Sequence, residues 1–324
     1  SGLISVGASG ATITNSGSSV LTLAGNIGGA TSGSAALGPL TSTDTAMGVT
    51  VSGPINMGSF PLEINASGAV NLAASITTNN ASVSVNTAGS VSLGANITTN
   101  GGAVLVKARG DITQGVAQVS TSGGDVTYWA DSDGNGVGQI ELSNGASGAA
   151  AGIAAGAGNI VLGGGSGASA AAGSAAANST RGILVGQYAS LSGADITLQG
   201  RGAPTTSGSV GVSIAQSASV VATGAVSITG TGGGTNTTPG FASSSNQGVS
   251  VVSGATIEST GATGAVSISG TGGGNPLGMN NYGVSITAGT LRTRGGALTI
   301  TGTEGAGTVN NGIALNRQGV AAAG

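Results

Sequence analysis

The richest run of oxygen-bearing side chains is WADSDGNG, residues 129–136, in which Asp131, Asp133 and Asn135 alternate before Gly136, with Glu141 close behind. Carboxylate and amide oxygens alternating around a sharp glycine bend are how calcium gathers its ligands. An EF-hand loop would close with a glutamate at position 142; that residue is Leu142, and Glu141 stands one short. The competing expectation is an Asx-rich turn whose side chains bond their own backbone, and it is preferred over a calcium site of Asp131, Asp133, Asn135 and Glu141. No other cofactor is expected.

The remaining inventory argues against catalysis. Histidine and cysteine are absent, which removes imidazole acid–base chemistry, Ser-His pairs, thiolate nucleophiles and His or Cys zinc sites. The ten carboxylates mostly stand alone, separated by long uncharged stretches, whereas glycoside cleavage needs two acids facing one bond. No enzyme is expected. Trp129, Phe241 and Tyr282 are the candidate contact residues, since an exposed ring can stack on a sugar or a partner; packing of the local corner is the preferred role for each. Tyr128 and Trp129 are adjacent, so one ring should point inward and the other outward.

Basic residues offer little more. Lys107 and Arg109, like Arg292 and Arg294, lie two apart and share a strand face, with solvated surface as the default. The GTGGG runs at 230–234 and 270–274 lack the Lys and following helix of a phosphate loop, and read as flexible corners. Thr-x-Thr segments such as Thr299-Ile300-Thr301 raise the idea of an ice-binding face, although outward positions over the chain mix Ser, Asn, Asp and Thr.

Whatever holds these residues is repetitive. NLAASITTNNASVSV (71–85) returns as SLGANITTNGGAVLV (92–106). Three apolar marks recur per repeat: Val49, Ile55, Leu62; Val70, Ile76, Val83; Val91, Ile97, Val104; Ile112, Val119, Val126. Around each mark apolar and polar residues alternate, as in Val83-Ser84-Val85, which is the period of a strand. The marks continue through Ile140, Ile153, Ile160; Ile183, Leu191, Ile196; Val212, Val220, Val226; Val249, Ile257, Val266; Val284, Leu291, Leu298; and Ile313.

A fixed period of this length signals a solenoid. The expected fold is all-β, a three-strand parallel β-solenoid of about 11 coils, forming a rod of roughly 50 Å at one strand spacing per coil. It should run as one continuous unit over 1–324, more regular over 1–126 and carrying long loops at one corner, between third and first strands, over 127–324. Stacked Thr77/Thr98 and Asn79/Asn100 should bond along a corner.

Composition agrees. Glycine supplies 66 of 324 residues, charged residues 5% and aromatic ones 2%, so the core must be narrow and aliphatic. A formal charge of −3 with scattered Lys and Arg gives no footprint for nucleic acid. No apolar run is long enough to span a membrane as a helix. Ser1 to Val6 lack the features of a signal peptide, and a start on Ser-Gly suggests a piece of something longer.

The run GGDVTYWADSDGNGVGQIEL (123–142), preceded by coils of the VSLGANITTNGGAVLVKARGDITQ type, resembles the β-strand repeats of filamentous haemagglutinin-like exoproteins, which are bacterial surface adhesins. The resemblance covers about residues 45 to 145. It implies a right-handed parallel β-helix, secretion to the cell surface, and a part in adhesion or biofilm cohesion. No Asn-Pro-Asn-Gly secretion motif or C-terminal barrel pattern accompanies it. The expected partners are therefore other copies of the chain, end to end or side by side, or cell-surface glycans and proteins. A self-assembling extracellular filament subunit and a carbohydrate-active or sugar-binding β-helix are the alternatives.

Overall fold

The computed structural model describes residues 11–15, 21–23, 27–28, 40–44, 48–167, 175–176, 180–204, 207–234 and 240–316. Ser1 to Val6 and parts of the corner sequences 163–180 and 231–247 lie outside that set. Every described strand belongs to one of three parallel sheets, of 12, 11 and 10 strands, and no helix occurs among the described residues. None is therefore present to cross a membrane as a long apolar helix.

Apart from the short strand Ala175–Ala176, which pairs with Ile196–Arg201 off the main path, each strand pairs with its equivalent one coil away, so the sheets run the length of a three-sided solenoid. The three marks read from the sequence are themselves the register. In the first sheet Val70, Val91, Ile112 and Ile140 pair in succession. In the second, Ile76, Ile97, Val119 and Ile153 do so. In the third, Val83, Val104, Val126 and Ile160 do so. The same agreement continues into the last coils, where Val266 meets Leu298 and Val284 meets Ile313.

Alternation explains why this register is unique. In Val83–Thr87 the residues Val83, Val85 and Thr87 are buried and those between them are not; a slip by one residue would turn the aliphatic file outward. The inward files of all three sheets meet in one continuous Val, Ile and Leu core. Tyr128 is the one aromatic ring fully buried there, and its hydroxyl donates to Gln114 Oε1 at 2.7 Å. Gln114 in turn donates to the carbonyls of Ala117 and Gly152, both at 2.8 Å. A buried amide and a buried phenol thus satisfy each other, as interior polar groups must.

The corners differ from expectation in one respect. Thr77 and Thr98 are register partners, but Asn79 and Asn100 are exposed. The ladder that ties this corner is made by the neighbouring threonines: Thr78, Thr99 and Thr121 are fully buried. Each hydroxyl donates to the carbonyl three residues on, that of Ala81, Gly102 or Gly124. A hydroxyl hidden under a tight corner closes it more effectively than an amide competing with water outside.

One longer connection, at 143–151, lies between the first and second sheets, so the long loops are not confined to one corner; further ones lie between the third and first sheets, at 131–139, 272–283 and 304–312. The GTGGG runs are ordered there. Gly232, Gly233 and Gly234 donate to Thr271, Ser209 and Ala203, and Gly272 and Gly274 continue the pattern onto Thr303 and Gly233. Glycine is required for contact: a Cβ on Gly230 would overlap the carbonyl of Gly248, and one on Gly270 that of Gly283. What the sequence suggested as flexibility is close backbone packing.

Candidate functional site

The turn after Val126–Ala130 begins the first long corner loop. Asp131 takes φ of 48°, a left-handed value that Asp tolerates because its short side chain bonds locally. Its Oδ1 accepts from the Gly136 N–H at 3.0 Å. Asp133 accepts from Asn135 Nδ2 at 3.0 Å, and Asn135 Oδ1 accepts from the Val137 N–H at 2.8 Å. The side-chain oxygens that would face a cation are therefore engaged with the loop's own donors.

Asp131 is 3% exposed. Burial raises its carboxyl above the ordinary range, the Gly136 and Val137 N–H groups pull it down, Asp133 pushes it up and Arg201 lowers it. Burial dominates because a charge removed from water is costly. Glu141 does not join this turn: it sits on the strand Ile140–Leu142, in a separate cleft of ≈ 260 Å³ with Gln139, Asn144 and Arg181. Among the described residues no group of three or more acidic, His or Cys side chains is placed to hold a metal.

Below the turn the rod carries an open cleft of ≈ 640 Å³, lined by Asn65, Asn86, Thr87, Lys107, Arg109 and Asp133 among others. It exists because the coils beneath have minimal corners while the Asp131 loop projects over them. Asn65, Asn86, Lys107 and Trp129 form one outward file of register partners on the third sheet. Tyr128 points in and Trp129 out, as adjacency in a strand requires. Lys107 Nζ lies 4.1 Å from the centre of the Trp129 ring, and the indole N–H donates to the Gly165 carbonyl at 2.7 Å. Lys107 is thus held by a cation–π contact instead of standing in solvent. The cleft presents amides and two cations on a rigid floor, a surface suited to hydroxyl-rich or anionic ligands.

Phe241 and Tyr282 lie apart from this cleft, in the late corner loops. The Phe241 carbonyl accepts from Asn275 Nδ2 at 2.6 Å, and the Tyr282 hydroxyl donates to Asn280 Oδ1 at 2.8 Å. Between them runs a feature that the sequence reading missed. The backbone N–H of Ser209 donates to Asn246 Oδ1, that of Asn246 to Asn281 Oδ1, and that of Asn281 to Asn310 Oδ1, at 3.0, 3.0 and 2.9 Å. Asn246 and Asn281 are fully buried. Each amide bridges one coil to the next, so the late loops are stapled from within.

The scattered carboxylates have a similar use. Asp125 Oδ1 accepts from the Asn159 N–H, Asn159 Oδ1 from Asp195, and Asp195 Oδ1 from Ala225, at 2.7, 3.1 and 2.7 Å. Asp111 Oδ1 accepts from Gln139 at 3.0 Å. Glu258 stands opposite Arg292 on the next strand, so this arginine also has a cross-strand neighbour of opposite sign. The signal was present in the sequence as an Asp or Asn directly before the third-strand marks Val126, Ile160 and Ile196.

Comparison with family models, curated proteins and solved structures finds no match to this chain.

Proposed function

We propose that the chain is a non-enzymatic shaft, the stalk or filament-forming part of a secreted bacterial surface protein of the filamentous haemagglutinin-like kind, acting in adhesion or biofilm cohesion. The observation that carries this reading is the unbroken register of three parallel sheets over some 300 residues, from Ala11 to Asn316. A protein built to convert a substrate gathers perturbed ionisable groups in one pocket. Here Asp111, Asp125 and Asp195 are spread along the rod, and each bonds the backbone of the next coil. The aliphatic core and low charge favour a stiff body little affected by salt, which suits a load-bearing spacer outside the cell.

Electron microscopy of the purified chain tests the reading. Isolated rods of roughly 50 Å, one strand spacing per coil, are expected. Long uniform fibres would instead favour a subunit that stacks end to end without closure, and globular particles would overturn both.

A second reading, a saccharide-binding module, is favoured by the cleft beneath the Asp131 turn. Its Asn65, Asn86, Lys107 and Arg109 would hydrogen-bond sugar hydroxyls and pair with carboxylate or sulfate groups. Titration with acidic oligosaccharides, with Arg109→Ala as the control, decides it: binding that the variant loses supports the module, and no binding to the native chain removes it.

A further inference from the structure

The outward side of the third sheet changes character along the rod. In the early coils it carries Glu63, Asn65, Leu105, Lys107 and Trp129. In the late coils it carries the segments Ser-Ile-Thr-Gly-Thr (227–231), Ser-Ile-Ser-Gly-Thr (267–271) and Thr-Ile-Thr-Gly-Thr (299–303), which pair residue for residue. Alternation sends Ile228, Ile268 and the glycines inward, and all nine outward side chains are hydroxyls, each exposed or half-exposed. The mixture of residue types seen over the whole chain therefore conceals one uniform patch.

That patch is a lattice. Neighbouring coils lie about 4.8 Å apart, and alternate side chains on one strand lie about 6.6 Å apart. The rectangle so formed is close to the oxygen repeats of an ice prism face. Its rigidity comes from behind: Gly230, Gly270 and Gly302 lie against the carbonyls of Gly248, Gly283 and Gly312, too closely for a Cβ. In-register stacking of identical ladders also keeps a sheet flat. No charge stands among the nine positions, so nothing there imposes a hydration shell of its own. A threonine hydroxyl can occupy the place of a water oxygen while its methyl group packs into the surface.

We propose that this late face of the third sheet binds ice, adsorbing to a crystal through the nine hydroxyls together. The inference is independent of the shaft reading, since a rod of any cellular role can carry such a face, and its readout does not depend on rod length or fibre formation.

The test is ice recrystallisation inhibition and crystal shaping by the purified chain. The native chain is expected to suppress coarsening, Ser269→Lys at the centre of the grid to need at least tenfold more protein, and Ser84→Lys on the early half of the same sheet, outside the cleft, to match the native chain. Circular dichroism checks that each variant is folded. If Ser269→Lys does not fold, Thr271→Lys at a more exposed grid position takes its place. A native chain no better than an inert protein of equal mass overturns the proposal. So does a folded grid variant with undiminished activity, or a face that proves only to pair two copies in sedimentation while ice growth is unaffected.

Discussion

Two residues show how much this core depends on individual polar groups. Tyr128 is fully buried, and burial holds its phenol far above the ordinary range, so it stays neutral and donates to Gln114. Tyr128→Phe leaves Gln114 Oε1 without that donor in the interior. The expected cost is about 1–3 kcal/mol, the penalty of a buried unsatisfied acceptor, read as a lowered melting temperature. Asp131 gives a prediction with a pH signature. Its carboxyl is raised above its unfolded value by burial, so the native state binds the proton more tightly. Stability is then lost as pH rises from the unfolded value through the raised one. Asp131→Asn keeps the acceptor for Gly136 and the left-handed turn, and removes the charge. Its melting temperature should exceed that of the native chain at pH 7, and the two should converge below the ordinary aspartate range. Millimolar calcium should leave the native melting temperature unchanged if the turn is satisfied by its own donors.

At the scale of the element, the late loops owe their order to the asparagine ladder. Asn246→Ala removes the acceptor for Ser209 and the donor to Ser243 Oγ. Amide exchange across 202–209 and 272–283 should accelerate on the order of ten- to hundredfold, the equivalent of one or two lost buried bonds, while the strands Val83–Thr87 and Val104–Ala108 keep their protection. This element also marks the limit of what the sequence discloses. The strands were legible because a period of two with β-branched residues has one interpretation, and the marks at Val49 or Ile257 needed no structure to be aligned. The ladder was not, because Asn246, Asn281 and Asn310 fall at irregular distances inside loops of unequal length. Composition alone cannot separate a stapled loop from a loose one. Lys107 was unreadable for a related reason: its partner Trp129 is a neighbour only after the coils stack.

For the whole molecule, the coil is the unit of stability, since each coil contacts only its neighbours. Equivalent positions in the early coils are 21 residues apart, so deleting 84–104 joins Val83 to Leu105 and leaves every register intact. That variant should fold, melt cooperatively, and be shorter by about one strand spacing, 4.8 Å. Deleting 84–103 instead shifts the next strand by one residue and exposes its aliphatic file. It should melt at a lower temperature and bind more hydrophobic dye, which scanning fluorimetry would register.

The direction of the backbone ladders has a mechanical corollary. Because the bonds between strands lie along the rod, a pull on its two ends loads them in tension, one coil boundary after another, and each rupture frees a fixed length of chain. Early coils free 21 residues apiece, whereas the stapled late ones free 29 to 37. Stretched between two surfaces, the rod would lengthen in small increments over one part and larger ones over the other, dissipating force as a graded fuse.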